Sequence, residues 1–101
     1  MPENVLDLRN FRRNPRIEEA PLQQELMLFD PSNSKFYLLN STMALAWRHC
    51  GKSDNNIVIQ EIMTTYRGVE RDRAEADIRE AVQQLLNMGL LVDAADTVAL
   101  R

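Results

Sequence analysis

The side chains that could do chemistry are few in this chain, and their spacing does not favour catalysis. His49 and Cys50 are adjacent, so on a helix they diverge by ~100° and do not pair as base and nucleophile. One histidine and one cysteine are too few for a zinc site, and no carboxylates stand at ligand spacing from them. The neighbouring carboxylates Glu18 and Glu19 fit a solvated strand edge better than an acid–base couple.

Glycine spacing gives the same result. Gly51, Gly68 and Gly89 are isolated from one another, which excludes a glycine-rich loop that cradles phosphate. We therefore expect a protein that is not an enzyme and that uses no metal and no cofactor.

Length and composition indicate one small domain. The chain has 101 residues, 45% of them hydrophobic, which suffices for one modest core. No segment approaches the ~20 apolar residues of a membrane span, and the charged N-terminus does not fit a secretory signal. Cys50 is the only cysteine, so no intrachain disulfide can form. We expect a cytoplasmic protein with no membrane partner.

The N-terminal segment is locally basic and lacks apolar periodicity. It contains Arg9, Arg12, Arg13 and Arg16, and we expect a mobile basic arm over residues 1–14. The folded domain is expected over residues 15–93. Residues 94–101 then form either a loose C-terminal tail or a wing strand, with 97–100 as its apolar part.

The hydrophobic period changes at Asn40, from that of strands to that of helices. Residues 25–30 and 35–39 are expected to be strands joined by a turn at 30–34, with 16–20 as a weaker third strand. Both stronger strands carry apolar side chains on both faces. Something must therefore cover the second face of the sheet.

Three helices are expected after the sheet. The first runs over residues 41–50, with Asn40 as its N-terminal cap and Trp47 as a core anchor. The second covers 56–66. The third covers 70–88, and its broad apolar arc comprises Ala74, Ile78, Ala81, Val82, Leu85, Leu86 and Met88. A short extended segment follows at 90–92.

These elements predict an α+β fold that is winged helix-turn-helix-like, with a small N-terminal antiparallel sheet of two or three strands followed by three helices. Such a shape suggests DNA binding, but helix three opens with Glu70, Asp72, Glu75, Asp77 and Glu80. This acidic surface repels phosphates, so we expect no nucleic-acid partner. A winged-helix adaptor or transcriptional regulator that binds protein or DNA is kept as the alternative function.

The order of several short patterns resembles the PqqD-like family, the recognition elements of ribosomally made, post-translationally modified peptides. The resemblance covers about residues 26–92. It is carried by Asp30-Pro31, Tyr37-x-Leu39-Asn40, Trp47, Gly51, residues 57–62, Asp77-Ile78, Leu85 and Gly89-Leu90-Leu91. The chain departs from the common form at Cys50-Gly51-Lys52, where an acidic residue usually precedes the glycine, and in its long basic arm.

The resemblance implies a non-catalytic chaperone that binds the leader segment of a precursor peptide and presents it to a modifying enzyme, often a radical S-adenosylmethionine protein. In the family the peptide lies between the third strand and the third helix. The corresponding residues here are Lys35, Phe36, Tyr37, Leu38, Leu39, Asp77, Ala81, Gln84, Leu85 and Met88.

The residues themselves favour some of these positions over others. Alternation along the strand assigns Tyr37 and Leu39 to the core and leaves Phe36 and Leu38 as groove candidates. Leu85 is central in the apolar arc, whereas Ala81 and Met88 lie at its edge and are the better contacts. Asp77 either pairs with a peptide cation or is a solvated carboxylate. An unpaired edge strand also permits a homodimer in place of a monomer.

Overall fold

A computed structural model describes residues 7–22 and 25–94 of the chain. The elements follow one another as a 3-10 turn at Leu8–Asn10, β1 (Phe11–Arg13), β2 (Glu18–Pro21), β3 (Leu26–Asp30), β4 (Lys35–Leu39), α1 (Ser41–His49), α2 (Asn55–Thr65), α3 (Arg71–Asn87) and β5 (Leu91–Asp93). The α+β architecture is confirmed. The three helices begin and end within one residue of the predicted bounds, because caps and glycines define their ends locally.

Strands β2, β3 and β4 form an antiparallel sheet in that order. Residues Leu26, Leu28 and Leu39 point to the inner face of this sheet and are buried in the core. The outer face carries Met27, Phe29, Phe36 and Leu38, and the rings of Phe29 and Phe36 lie 4.6 Å apart. No described helix covers this outer face, on which Phe36 is 65% and Leu38 54% exposed.

The helices cover the inner face and bury one core. Helix α3 packs against both α1 and α2, and Trp47 on α1 is 1% exposed, as the sequence predicts for a core anchor. The buried apolar residues of α3 repeat at helical spacing and comprise Ala74, Ile78, Ala81, Val82 and Leu85. The core is thus a three-helix layer against one face of a small sheet.

Residues 7–14, which the sequence analysis assigned to a mobile arm, pack onto the fold in the structure, while residues 1–6 lie outside the described part. Asp7 caps the 3-10 turn, Leu8 is 0% exposed, and β1 pairs antiparallel with β5. The backbone of Leu8 is held on both sides: its N–H donates to Asn55 Oδ1 (2.9 Å), and its carbonyl accepts from Gly51 N (3.0 Å). These partners are distant in sequence, so local periodicity gave no sign of them.

The short extended segment predicted at 90–92 is confirmed as β5, although its partner is the N-terminal β1. The wing or tail predicted at 97–100 lies outside the described residues. Together β1 and β5 make a second, two-stranded sheet.

Glu19 lies on the edge strand β2 and is exposed, as its sequence suggested, but its carboxylate also makes contacts that the sequence did not indicate. Its Oε2 accepts a hydrogen bond from Trp47 Nε1 (2.8 Å) and one from Arg13 Nη1 (3.2 Å). Arg13 also donates to the carbonyls of Trp47 and Arg48 at the end of α1, at 2.9 Å each, and lies over the Trp47 ring. This group joins β1, β2 and α1.

Candidate functional site

The larger sheet has two edge strands among the described residues, β2 and β4, and β4 is the one that leads directly into α1. Strand β4 pairs with β3, and none of the described strands lies along its other edge. The alternate N–H and C=O groups on such an edge are free to pair with an added strand. Lys35, Phe36 and Leu38 on this strand are exposed.

A cleft of about 250 Å³ lies where β4 ends, between the first turn of α1 and the middle of α3. Three of the residues predicted on α3, Asp77, Ala81 and Gln84, line it because their spacing of four and three places them on one helix face. The sequence analysis missed the remaining lining residues, which are Asn40, Thr42, Met43 and Glu80.

The opposite wall of the cleft is built by the junction of β4 with α1. Asn40 ends the strand and caps the helix: its Oδ1 accepts a hydrogen bond of 2.8 Å from Met43 N. The predicted cap is thus confirmed, and capping fixes the start of α1 beside the cleft. A polar capping residue immediately after an edge strand was the sequence signal that could have placed Asn40 in the site.

The lining combines an apolar floor with an acidic rim. Met43 and Ala81 are buried, whereas Glu80 is exposed and Asp77 and Gln84 are half-buried. Asp77 Oδ1 lies 3.5 Å from Arg73 Nε, and Gln84 donates a hydrogen bond of 3.4 Å to Glu80. None of the seven lining residues is basic.

A second cleft, of about 330 Å³, opens at the start of α3. It is lined by Gly68, Val69, Glu70, Arg73 and Asp77. Because Asp77 borders both clefts, they form neighbouring depressions along one side of α3.

The remaining predicted residues divide between the core and the outer face of the sheet. Leu39 and Leu85 are fully buried, as the sequence favoured, and Tyr37 and Met88 are partly buried against the core. Phe36 and Leu38, the groove candidates by alternation, lie on the outer face and not among the residues that line the clefts.

His49 joins two other polar residues that the sequence analysis did not connect with it. Its Nδ1 lies 3.2 Å from Ser53 Oγ and its Nε2 3.0 Å from Glu61 Oε1. These contacts tie the end of α1 to α2. None of these three residues lines either cleft. His49 ends α1, about 12 Å along the helix from Ser41, whereas the cleft lies at the first turn of that helix.

The Cys50 side chain is buried, and this burial raises the pKa of the thiol to about 11, although the nearby Arg13 lowers it somewhat. A protonated, buried thiol is a poor nucleophile. Within residues 7–22 and 25–94, no group of three or more His, Cys, Asp or Glu side chains is arranged to hold a metal ion.

The model of one protein family, "Coenzyme PQQ synthesis protein D (PqqD)", matches residues 25–91, from β3 to the start of β5. The matched segment is most of the chain and contains β4, α1 and α3, the elements that build the edge and the cleft. The chain belongs to the PqqD family.

Two solved structures share this fold. "Lasso peptide synthetase B1 complexed with the leader peptide" has 30% sequence identity and a TM-score of 0.73, over 82% of this chain and 98% of that one. "TbiB1 in Complex with the TbiA(beta) Leader Peptide" has 20% identity and a TM-score of 0.69, over 79% of this chain and 93% of that one. No curated protein sequence matches this chain.

None of the helices in the described part of the chain is both long enough and apolar enough to span a membrane.

Proposed function

We propose that this protein is a non-catalytic peptide chaperone, which binds the leader segment of a ribosomally made precursor peptide by strand addition and presents it to a modifying enzyme. The observation that carries the proposal is the unpaired edge of β4 beside the cleft on α3. The leader peptides in the two related structures support it, because both proteins share the fold over nearly their whole length.

Strand addition explains how one small domain holds a flexible peptide. Main-chain hydrogen bonds along Lys35–Leu39 supply affinity, and pockets for alternate side chains supply specificity. The peptide's inward side chains meet α3 near Asp77, Ala81 and Gln84, and its outward side chains lie beside Phe36 and Leu38. Tyr37 and Met88, which the family resemblance also assigns to peptide binding, are partly buried against the core and line neither cleft.

The chemistry belongs to the partner enzyme. Burial keeps the Cys50 thiol protonated, which makes it a poor nucleophile and agrees with a role in binding. The likeness to a lasso peptide synthetase B1 protein favours a lasso-type precursor over one modified by a radical S-adenosylmethionine enzyme, the partner that the sequence resemblance implied.

The test uses synthetic leader segments from short reading frames next to this gene, titrated into the isotope-labelled protein. We expect amide shifts and slowed hydrogen exchange along β4, because a strand added at the edge pairs with its free N–H groups. Gln84→Trp fills the cleft and should abolish binding. Gln83→Trp, one residue away on the exposed side of α3, is the matched control and should bind normally.

Gln84 is a better site for this test than Ala81, because Ala81 is only 4% exposed and a bulky residue there would overpack the core. Amide shifts confined to residues outside β4 and α3, together with normal binding by Gln84→Trp, would place the peptide elsewhere. Turnover of a peptide by the isolated protein would contradict the non-catalytic role.

A further inference from the structure

The direction of β4 determines which part of an added strand meets the cleft. The strand runs through Leu39 into Asn40, and Asn40 is itself part of the cleft wall. In an added strand, successive side chains point alternately to the inner and outer faces of the sheet. An inward side chain near the Leu39 end of β4 therefore projects into the cleft between α1 and α3.

The lining defines the chemistry of that side chain. Met43 and Ala81 offer a short apolar floor, and Asp77 and Glu80 place two carboxylates on one wall. A lysine or arginine matches both features, because its methylene stem packs on apolar surface while its charged end stays at a polar rim.

The carboxylates of Asp77 and Glu80 have only weak partners within the protein, so they are available to a cation of the peptide. Arg73 approaches Asp77 at 3.5 Å from the preceding turn of α3, and the Arg73 side chain is 76% exposed, so this ion pair is weak. Glu80 accepts a hydrogen bond of 3.4 Å from Gln84, which is also long. A peptide cation can displace either contact at little cost.

An anionic side chain is the competing occupant, since the N-terminal turn of α1 attracts negative charge. However, Asn40 Oδ1 already accepts the hydrogen bond of Met43 N, which removes one free donor. The carboxylates of Asp77 and Glu80 on the facing wall repel an anion as well.

We propose that the cleft is a specificity pocket for a lysine or arginine of the bound leader, with Asp77 and Glu80 as the residues that select it. The proposal rests on the proposed peptide-binding function and assigns one inward position of the peptide.

A displayed library of random linear peptides provides the probe. It is selected on three immobilised proteins: the wild type, the double variant Asp77→Asn/Glu80→Gln, and Glu75→Gln. Glu75 is an exposed residue of α3 outside both clefts, so its variant removes the same type of charge from the same helix. The wild type and Glu75→Gln should enrich lysine or arginine at one position among apolar residues, and the double variant should not.

One enriched peptide is then measured against its counterpart with norleucine at the selected position. Each single substitution, Asp77→Asn or Glu80→Gln, should weaken the cationic peptide by about two- to five-fold, the range of a partly exposed ion pair. The norleucine peptide should bind the wild type and both variants equally. Asp77→Lys should in turn favour a peptide with glutamate at that position.

The outcomes separate the two proposals. Peptides that bind along β4 with no preference for a cation, or with a preference that survives the double variant, would overturn the specificity pocket alone. Recovery of tyrosine or an acidic residue at the position would overturn it too. If no peptide is enriched on any of the three proteins, the peptide-binding function itself fails.

Discussion

Trp47 Nε1 on α1 donates a hydrogen bond of 2.8 Å to Glu19 Oε2 on β2, and the same oxygen accepts from Arg13 on β1. The bond satisfies the one polar atom of a side chain that is otherwise surrounded by the core. It also joins the sheet to the helix that forms a wall of the cleft. The position of α1 therefore depends on contacts made far from the cleft.

This pairing predicts a large difference between two adjacent glutamates. Glu19→Ala leaves the buried Trp47 Nε1 without an acceptor and should lower the free energy of unfolding by about 1–3 kcal/mol. Glu18→Ala, on the outer face of the same strand, should change it by less than about 0.5 kcal/mol. Urea denaturation of both variants measures the difference. Equal effects of the two would mean that the hydrogen bond contributes nothing to stability.

Trp47→Ala should lower the free energy of unfolding by about 3–5 kcal/mol, because it empties the centre of the core. If Glu19 stabilises the protein through its hydrogen bond to Trp47, Glu19→Ala should lower the free energy of unfolding less in the Trp47→Ala variant than in the wild type. Additive losses in this double-mutant cycle would show that the two residues are not coupled.

Leu8 tests whether the N-terminal segment is part of the fold. Its side chain is 0% exposed, so Leu8→Ala should destabilise the protein by about 2–5 kcal/mol. The exposed Leu22 is the control, and Leu22→Ala should be close to neutral in the same thermal or urea denaturation. A neutral Leu8→Ala would restore the expectation of a mobile arm.

Two helix caps provide a matched pair that separates stability from binding. Asn40 caps α1 beside the cleft, and Asp54 caps α2 by accepting a hydrogen bond of 3.2 Å from Ile57 N. Replacing either by alanine should cost about 1 kcal/mol of stability. Peptide affinity, measured well below the melting temperature, should fall only for Asn40→Ala. Equal loss of affinity in both would indicate a general effect of stability.

Burial of the Cys50 thiol predicts a dependence of stability on alkaline pH. Its pKa is about 11 in the folded protein, against an ordinary value of 9.0, because desolvation disfavours the thiolate. The folded state thus holds the proton more tightly. The resulting stability is fully present below pH 9.0 and is lost as the pH rises toward 11. The stability of the wild type relative to Cys50→Ala should therefore fall across this range in urea denaturation, and a constant difference would contradict the buried thiol.

Local patterns in the sequence determined the helices, the hairpin and their order. Asn40 marks the change of period and caps α1, and the apolar spacing of α3 identifies the face that it buries. The resemblance to the PqqD-like family indicated Asp77, Ala81 and Gln84, three of the four α3 residues that line the cleft, and their helical spacing places them on one side of that helix. Each of these features depends on residues only a few positions apart.

The tertiary structure decided what depends on residues distant in sequence. The N-terminal segment belongs to the fold because β1 pairs with β5. Glu19 accepts hydrogen bonds from Arg13 on β1 and Trp47 on α1. The cleft needs Thr42 and Met43 from α1 opposite Glu80 from α3. Period and propensity describe neighbours along the chain, whereas a cleft between two helices is set by how their side chains pack across the core.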